Sequence, residues 1–415
     1  MSLPVIKILV VGGSYGGNTF LKFFLKLVEK YEGNSPRFDI TLVEPRRGFI
    51  NILAIPKAVL DPEFAKTTYA TIENMGLPFD FLDSTSTTSD SSLRLRYIQG
   101  WCHELHENYA IVKPVDNSAE LSKYEFDYCI YAAGRSRPWP FDPKGFDKKY
   151  YLEEMEKSTE KIKAANIISV IGAGAVGIEV AAELKTDFPE KKVLLIHPHD
   201  NLPPENRLSQ IFKQKNLEFL KDVKVEVKLN TRVLKEVENG FLTTNGDFVE
   251  SDLILWCSSK QNNLKPLLNN EKSPFKDCID YKVDDIAINR NMQIIRYDES
   301  SYDFSNATVP AKFEKIFAIG DVSKIPAVKA AGGAYRQAIV AAENVMAIVR
   351  NELYNEQNEL KMIDLWGAHM TLLVGPRHSV TQNDDELLLD NADTLKLYED
   401  YCNDFVSKTQ GIKFD

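Results

Sequence analysis

Short apolar runs recur along this chain, each closed by glycine or a polar residue. They alternate with stretches whose apolar residues return every three or four positions. The runs are Val5–Val11, Phe38–Val43, Phe126–Tyr131, the run opening at Ile167, Lys192–Ile196, Leu253–Trp256 and Phe313–Ile319. They are too short for helices and too continuously apolar for half-exposed strands, so they predict buried strands of a parallel sheet. The longer periodic stretches predict helices at about Thr19–Tyr31, after Gly177, over Val328–Glu352, and as an amphipathic helix near Asp393–Lys408. Leu93–Ile98 and Ala110–Lys113 read as short strands of an antiparallel insertion. The polar run Asp83–Ser92 reads as a surface loop that has nothing to bury. Strands alternating with helices imply an α/β fold.

Two of these strands break into glycine. Val10-Val11-Gly12-Gly13-Ser14-Tyr15-Gly16-Gly17 precedes a helix, and the next strand ends at Glu44. Glycine in such a turn lets the backbone approach a pyrophosphate, whose charge then rests on a helix N-terminus. Glu44 is suited to accept ribose hydroxyls and to repel a ribose phosphate. Ser14 stands where such a loop usually has its second glycine, and a small hydroxylated side chain is compatible with pyrophosphate there.

The second loop, Ile171-Gly172-Ala173-Gly174-Ala175-Val176-Gly177-Ile178-Glu179, carries every glycine of the pattern. Its following strand ends at His197 in place of an acid, which leaves NADH and NADPH as alternative donors. A third strand end, Gly320-Asp321 before a helix, offers a carboxylate for a ribityl hydroxyl and backbone amides for a flavin ring. Two dinucleotide loops and this third element imply two Rossmann-like dinucleotide-binding domains, for FAD and NAD(P), with a small α+β C-terminal segment. The expected boundaries are 1–150 with 265–350 for the FAD domain, 151–264 for the NAD(P) domain, and 351–415 for the C-terminal segment. The Pro138, Pro140 and Pro143 bend and the linker Asn262–Asp280 mark the crossings.

The chain has 415 residues, 44% of them hydrophobic and 27% charged, as expected of a folded protein of more than one domain. A net charge of −10 argues against a nucleic-acid partner. No apolar stretch reaches the roughly 20 residues of a membrane span, so any membrane contact is expected to be peripheral. The five cysteines are scattered and never form a CxxC pair, which fits reduced thiols in a cytoplasmic setting. Mitochondrial or lipid-surface association stays an alternative. His103 and His106 stand three apart, with Cys102 and Glu104 as chance neighbours on a strand, and no metal is expected.

With these motifs in order, the chain resembles the two-dinucleotide-binding flavoprotein oxidoreductases. The motifs are VVGGSYGG with Glu44, Tyr131-Ala132-Ala133-Gly134, IGAGAVGIEVAAEL (Ile171–Leu184) and FAIGDV (Phe317–Val322). Within that family it is most similar to the apoptosis-inducing-factor-like and ferroptosis-suppressor-like NAD(P)H:quinone reductases of fungal type. Glu44–Val59 and His369–Gln382 carry that likeness. The resemblance implies that the first loop, Glu44, Ala133, Gly134, Gly320 and Asp321 bind FAD. It also implies that Gly172, Gly174, Gly177 and His197 bind NADH or NADPH, and that Glu179 lies near the nicotinamide or flavin. Leu255-Trp256-Cys257-Ser258-Ser259 departs from the family's usual Thr-Gly turn, which narrows the expected donor site.

The disulfide-reductase branch of this family relays electrons through two closely spaced cysteines. Gly48-Phe49-Ile50-Asn51-Ile52-Leu53 stands there instead. Electrons are therefore expected to leave the flavin directly for a small-molecule acceptor such as a quinone or oxygen. A helix starting near Ala327 would stabilise charge on the reduced ring. Lys329 is a candidate to add to that field, and Lys57 is a weaker candidate for the active-site cleft. The competing reading is an FAD-binding interaction protein with weak or lost turnover. Either a monomer or a homodimer is compatible with the sequence.

Overall fold

The structure, a computed structural model, describes residues 4–30, 36–80, 93–116, 120–258 and 261–414. Strand β1 (Val5–Val11), helix α1 (Tyr15–Lys30) and strand β2 (Arg37–Glu44) form the first strand–turn–helix–strand unit. Strands β3 (Leu93–Leu105), β4 (Tyr109–Pro114), β5 (Ser122–Glu125) and β6 (Tyr128–Tyr131) follow. The second such unit is preceded by helix α2 (Lys148–Ala164) and consists of β7 (Ile167–Ile171), α3 (Ala175–Asp187) and β8 (Lys192–Ile196). Helix α4 (Gln210–Asp222) and β9 (Glu226–Lys228) come next, then the antiparallel trio β10 (Val233–Val237), β11 (Gly240–Thr243) and β12 (Phe248–Glu250). Beyond β13 (Leu253–Trp256) lie β14 (Ile316–Ala318) and α5 (Ala331–Tyr354). The chain ends in the antiparallel strands β15 (His369–Val374), β16 (His378–Asn383) and β17 (Glu386–Leu389), then α6 (Ala392–Leu397) and α7 (Asn403–Gln410).

These elements divide into two compact units, residues 1–49, 72–135 and 261–365, and residues 50–71, 136–260 and 366–415. In the first unit, one sheet runs in the order β14-β6-β1-β2-β3-β4-β5. Strand β1 pairs in parallel with β2 and β6, which is why it is wholly buried from Ile8 onward. Helix α1 repeats its apolar residues on one face, and Phe20, Leu21, Phe24, Leu25 and Val28 are all buried. Phe24 meets Phe38 of β2 edge to face at 5.1 Å, and each such buried ring contributes about 1.5–3 kcal/mol. The connections run outward on opposite sides of β1, which makes it the switch point at whose carboxyl end ligands bind in such sheets.

The second unit repeats this plan on a smaller scale, with a parallel sheet ordered β9-β8-β7-β13 and its switch point at β7. Its core draws on segments far apart in sequence. Ile55, Val59 and Tyr69 pack with Tyr151, Met155 and Ile162 of α2, and Leu372, Val374 and Val380 join the same cluster. The Thr68 hydroxyl lies 2.6 Å from the Tyr151 hydroxyl in this core.

The division differs from the sequence expectation in two ways. The crossings fall at 135/136 and 260/261, and residues 50–71 and 366–415 belong with the second unit because their apolar side chains complete its core. The predicted C-terminal helix is two helices, interrupted where Tyr401 and Cys402 take φ of 53° and 63°. The loop Asp83–Ser92 lies outside the described residues. Among the described residues no helix is long and apolar enough to cross a membrane.

Candidate dinucleotide sites

The two glycine loops share one hydrogen-bond pattern. Gly12 N–H donates to the Val43 carbonyl at 2.9 Å and Ala132 N–H donates to Val11 at 2.8 Å. In the second unit, Gly172 N–H donates to Ile196 and Cys257 N–H to Ile171, both at 2.8 Å. Gly12 and Gly172 have φ of +98° and +106°, the left-handed region that favours glycine. A Cβ on Gly17 would stand 1.8 Å from the Gly12 carbonyl oxygen, and one on Gly177 would stand 1.9 Å from that of Gly172. Each helix can start this close to its strand only because both residues lack a side chain.

This pairing aligns the loops residue by residue. Ser14 takes the place of Gly174: the Ser14 carbonyl accepts from Asn18 N–H at 2.8 Å, and the Gly174 carbonyl accepts from Ile178 N–H at 3.1 Å. Gly16 corresponds to Val176, and a Cβ on Gly16 would meet only ordinary contact with Ile319 at 3.4 Å. Ser258 corresponds to Ala133, since a Cβ on Gly172 would meet Ser258 and one on Gly12 would meet Ala132 and Ala133. Ser258 therefore packs against the loop glycine as Ala133 does, while Ser259 lies outside the described residues.

Gly13 and Ala173 are the remaining pair. Gly13 N–H donates to Glu44 Oε2 at 2.7 Å, and Ala173 N–H donates to His197 Nδ1 at 3.1 Å. The other Glu44 oxygen accepts from Arg46 N–H at 3.0 Å. Glu44 and His197 thus brace the two loops from matching strand ends. Burial, with the charges of His199 and Arg232 added, depresses the His197 pKa to about 4, so this imidazole is neutral.

In the first unit, Gly320 has φ +78°, and its N–H donates to Gln337 Oε1 at 2.9 Å. Asp321 Oδ2 lies 3.1 Å from Arg135 Nε, and the Asp321 carbonyl accepts from Arg135 at 3.1 Å and from Lys329 Nζ at 3.0 Å. Asn263 holds the Ala133–Gly134 turn: its N–H donates to Gly134 O at 3.0 Å and its Nδ2 to Ala133 O at 2.7 Å. Lys329 precedes α5, which begins at Ala331 and not near Ala327. Gln337, Arg135 and Asn263 were not legible as site residues; the third strand's Asp marks the turn, but nothing in its sequence marks the partners.

In the second unit, Glu179 lies on α3 with Glu183 and Asp187 at successive four-residue steps. Desolvation pushes Glu179 up to about 8 against a backbone hydrogen bond from Leu373. Desolvation also raises Glu183 to about 7, opposed by a hydrogen bond from the Tyr401 hydroxyl. Lys57 sits 2.6 Å from Asp187, where it anchors residues 50–71 to α3.

The residues present fit dinucleotides. Neither α1 nor α3 has an acidic residue in its first turn, and the residue before α3, Gly174, makes no side-chain cap, leaving N–H groups for an anion. Gly174 has an ordinary φ of −75° and nothing within 4 Å of a Cβ, so its lack of a side chain answers no need of the fold itself. His197 Nε2 is buried without a hydrogen-bond partner among the described residues. Among those residues, no group of three or more His, Cys, Asp or Glu is placed to hold a metal.

A family model described as pyridine nucleotide-disulphide oxidoreductase matches residues 6–344. Oxidoreductase OXR1 of Ajellomyces capsulatus is 26% identical over 94% of this chain and 84% of its own length. Ferroptosis suppressor protein 1 of Xenopus laevis is 25% identical over 91% and 88%. The solved structure of NDH2 from Plasmodium falciparum in complex with NADH superposes with a TM-score of 0.67 at 14% identity, covering 99% of each chain.

Proposed function

The chain belongs to the pyridine nucleotide-disulphide oxidoreductase family, and we propose that it passes electrons to a small acceptor, such as a quinone or oxygen, without a redox disulfide. It is a flavin oxidoreductase whose cofactors are FAD and NADH or NADPH. When bound, these groups supply the hydride and electron transfer. The chain's own residues bind and orient them. In this reading the loop Gly12–Gly17, Glu44, Ala133, Gly134, Gly320 and Asp321 hold FAD, and Gly172, Gly174, Gly177 and His197 hold the nicotinamide donor. Glu179 carries a proton at neutral pH through desolvation, and its catalytic role is part of the proposal.

The state of the thiols carries the acceptor reading. All five cysteines are free. Burial pushes Cys102, Cys278 and Cys402 up to about 12 and Cys129 and Cys257 well above the ordinary thiol range. A thiol acts as nucleophile only as thiolate, so none of these is suited to relay electrons at neutral pH. The test replaces all five with serine or alanine and follows flavin reduction by NADH or NADPH without oxygen, then reoxidation by a short-chain quinone. Both steps should survive. Loss of reoxidation with reduction intact would overturn the thiol-free route.

A further inference from the structure

We infer that the second loop selects a nicotinamide dinucleotide bearing a 2′-phosphate on its adenosine ribose, held by His197, His199 and Arg232. The inference rests on the assignment of this loop to the nicotinamide donor and narrows it to one chemical class.

The two loops are braced at the same atom by opposite chemistry. At the first, a carboxylate accepts the loop N–H of Gly13, and its oxygens can take further protons only from donors, such as ribose hydroxyls. At the second, the Ala173 N–H occupies His197 Nδ1. A neutral imidazole that accepts at Nδ1 carries its proton on Nε2, so the group turned away from the loop is a donor. His197 is 4% exposed, and that Nε2 has no partner among the described residues. A buried donor left unmet carries an unrepaid desolvation cost, which an acceptor from a ligand removes.

The surroundings choose the acceptor. The Asn230–Arg232 turn is pinned over this strand end, with Thr231 N–H donating to the His197 carbonyl at 2.9 Å and Asn230 N–H donating to that of His199 at 3.0 Å. The pinning brings Arg232 beside His197, and Arg232 forms no ion pair among the described residues. The His199 ring stands 5.2 Å from that of His197. The adjacent carboxylate, Asp200, is exposed and accepts from Asn201 Nδ2 at 2.6 Å. A donor beside the Arg232 guanidinium and the His199 ring, at the strand end where a carboxylate would repel phosphate, suits a phosphate monoester better than a bare hydroxyl.

The experiment is calorimetric titration of the flavin-loaded protein with adenosine 2′,5′-bisphosphate and with 5′-AMP, which needs no turnover. The bisphosphate should bind at least tenfold more tightly. His197→Glu, which copies the Glu44 arrangement, should reverse the order, and Arg232→Ala should weaken the bisphosphate alone. Equal affinities in the unaltered protein would overturn the inference while leaving the nicotinamide assignment standing. If neither nucleotide bound and neither NADPH nor NADH bleached the flavin, both would fall. Competition by inorganic phosphate as strong as that by the bisphosphate would also overturn it, since the site would then read phosphate alone.

Discussion

The Lys329 ammonium donates to the Asp285 carboxylate across 2.6 Å, with both side chains largely buried. Burial raises the Asp285 carboxyl and lowers the Lys329 ammonium, and each partner opposes the shift of the other. The sequence suggested that Lys329 adds positive field to a flavin. Its charge is matched by Asp285, and its second hydrogen bond steadies the Asp321 carbonyl. Lys329→Met strands a buried carboxylate and should cost about 2–4 kcal/mol, less than for a fully buried pair. The melting temperature should fall and bound FAD should be lost on dialysis. The double variant K329M/D285N should recover most of the melting temperature. Failure to recover would mean that Lys329 acts mainly through Asp321.

Ser14 is a tolerated variant of the loop if its side chain occupies the space that Gly174 leaves empty in the matching position. Ser14→Gly and Ser14→Ala should therefore keep both fold and FAD, with affinity changes within about tenfold, the scale of one neutral hydrogen bond. Ser14→Val should keep the fold but weaken FAD by far more. Equilibrium dialysis read at the flavin absorbance band measures all three, and tight FAD binding by the valine variant would remove the pyrophosphate from this place.

Gly17 and Gly177 test the two proposed loop assignments separately. Gly17→Ala drives a Cβ into the Gly12 carbonyl and should give a colourless protein of lowered stability. Gly177→Ala does the same to the second loop. That variant should stay yellow, yet no longer be bleached by NADH or NADPH. Absorption spectra before and after each coenzyme, without oxygen, distinguish the outcomes. A Gly177→Ala protein that still bleaches fully would contradict the assignment of the loops.

What was legible in the sequence follows from where the information resides. The loops, Glu44, His197 and Gly320-Asp321 lie at strand ends, so local pattern was enough to place them there, but the loop N–H groups that Glu44 and His197 accept were not read from the sequence. The alignment of Ser14 with Gly174 also followed from spacing. The assembly of Arg135, Asp285, Lys329 and Gln337 around Asp321 joins residues up to 202 positions apart and leaves no local mark. Residues 50–71 packed with the second unit for the same reason. The break at Tyr401 was hidden because neither Tyr nor Cys favours positive φ. It is stabilised from outside, by Asn51 Nδ2 donating to the Tyr401 carbonyl at 3.0 Å and to Asn403 Oδ1 at 2.8 Å.

Glu179 and Glu183 make stability fall as pH rises. Each has a folded-state pKa above its ordinary value of 4.5, at about 8 and about 7, so the folded chain binds more protons than the unfolded one in that window. Stability from these groups is full below about 4.5, declines through neutrality, and levels off above about 8. The groups that face them are Tyr398, Tyr401 and Cys402 of the C-terminal segment, the Leu373 N–H, Lys57 and Asp187. Glu179→Gln keeps the size and removes the charge. It should therefore raise the melting temperature at pH 8 relative to the parent while changing little at pH 5. Tyr401→Phe removes the hydroxyl that favours ionised Glu183 and should shift the midpoint of the decline to higher pH. Melting curves from pH 5 to 9 on the three proteins decide the matter: a glutamine variant that loses stability equally at both ends would mean that Glu179 is charged throughout.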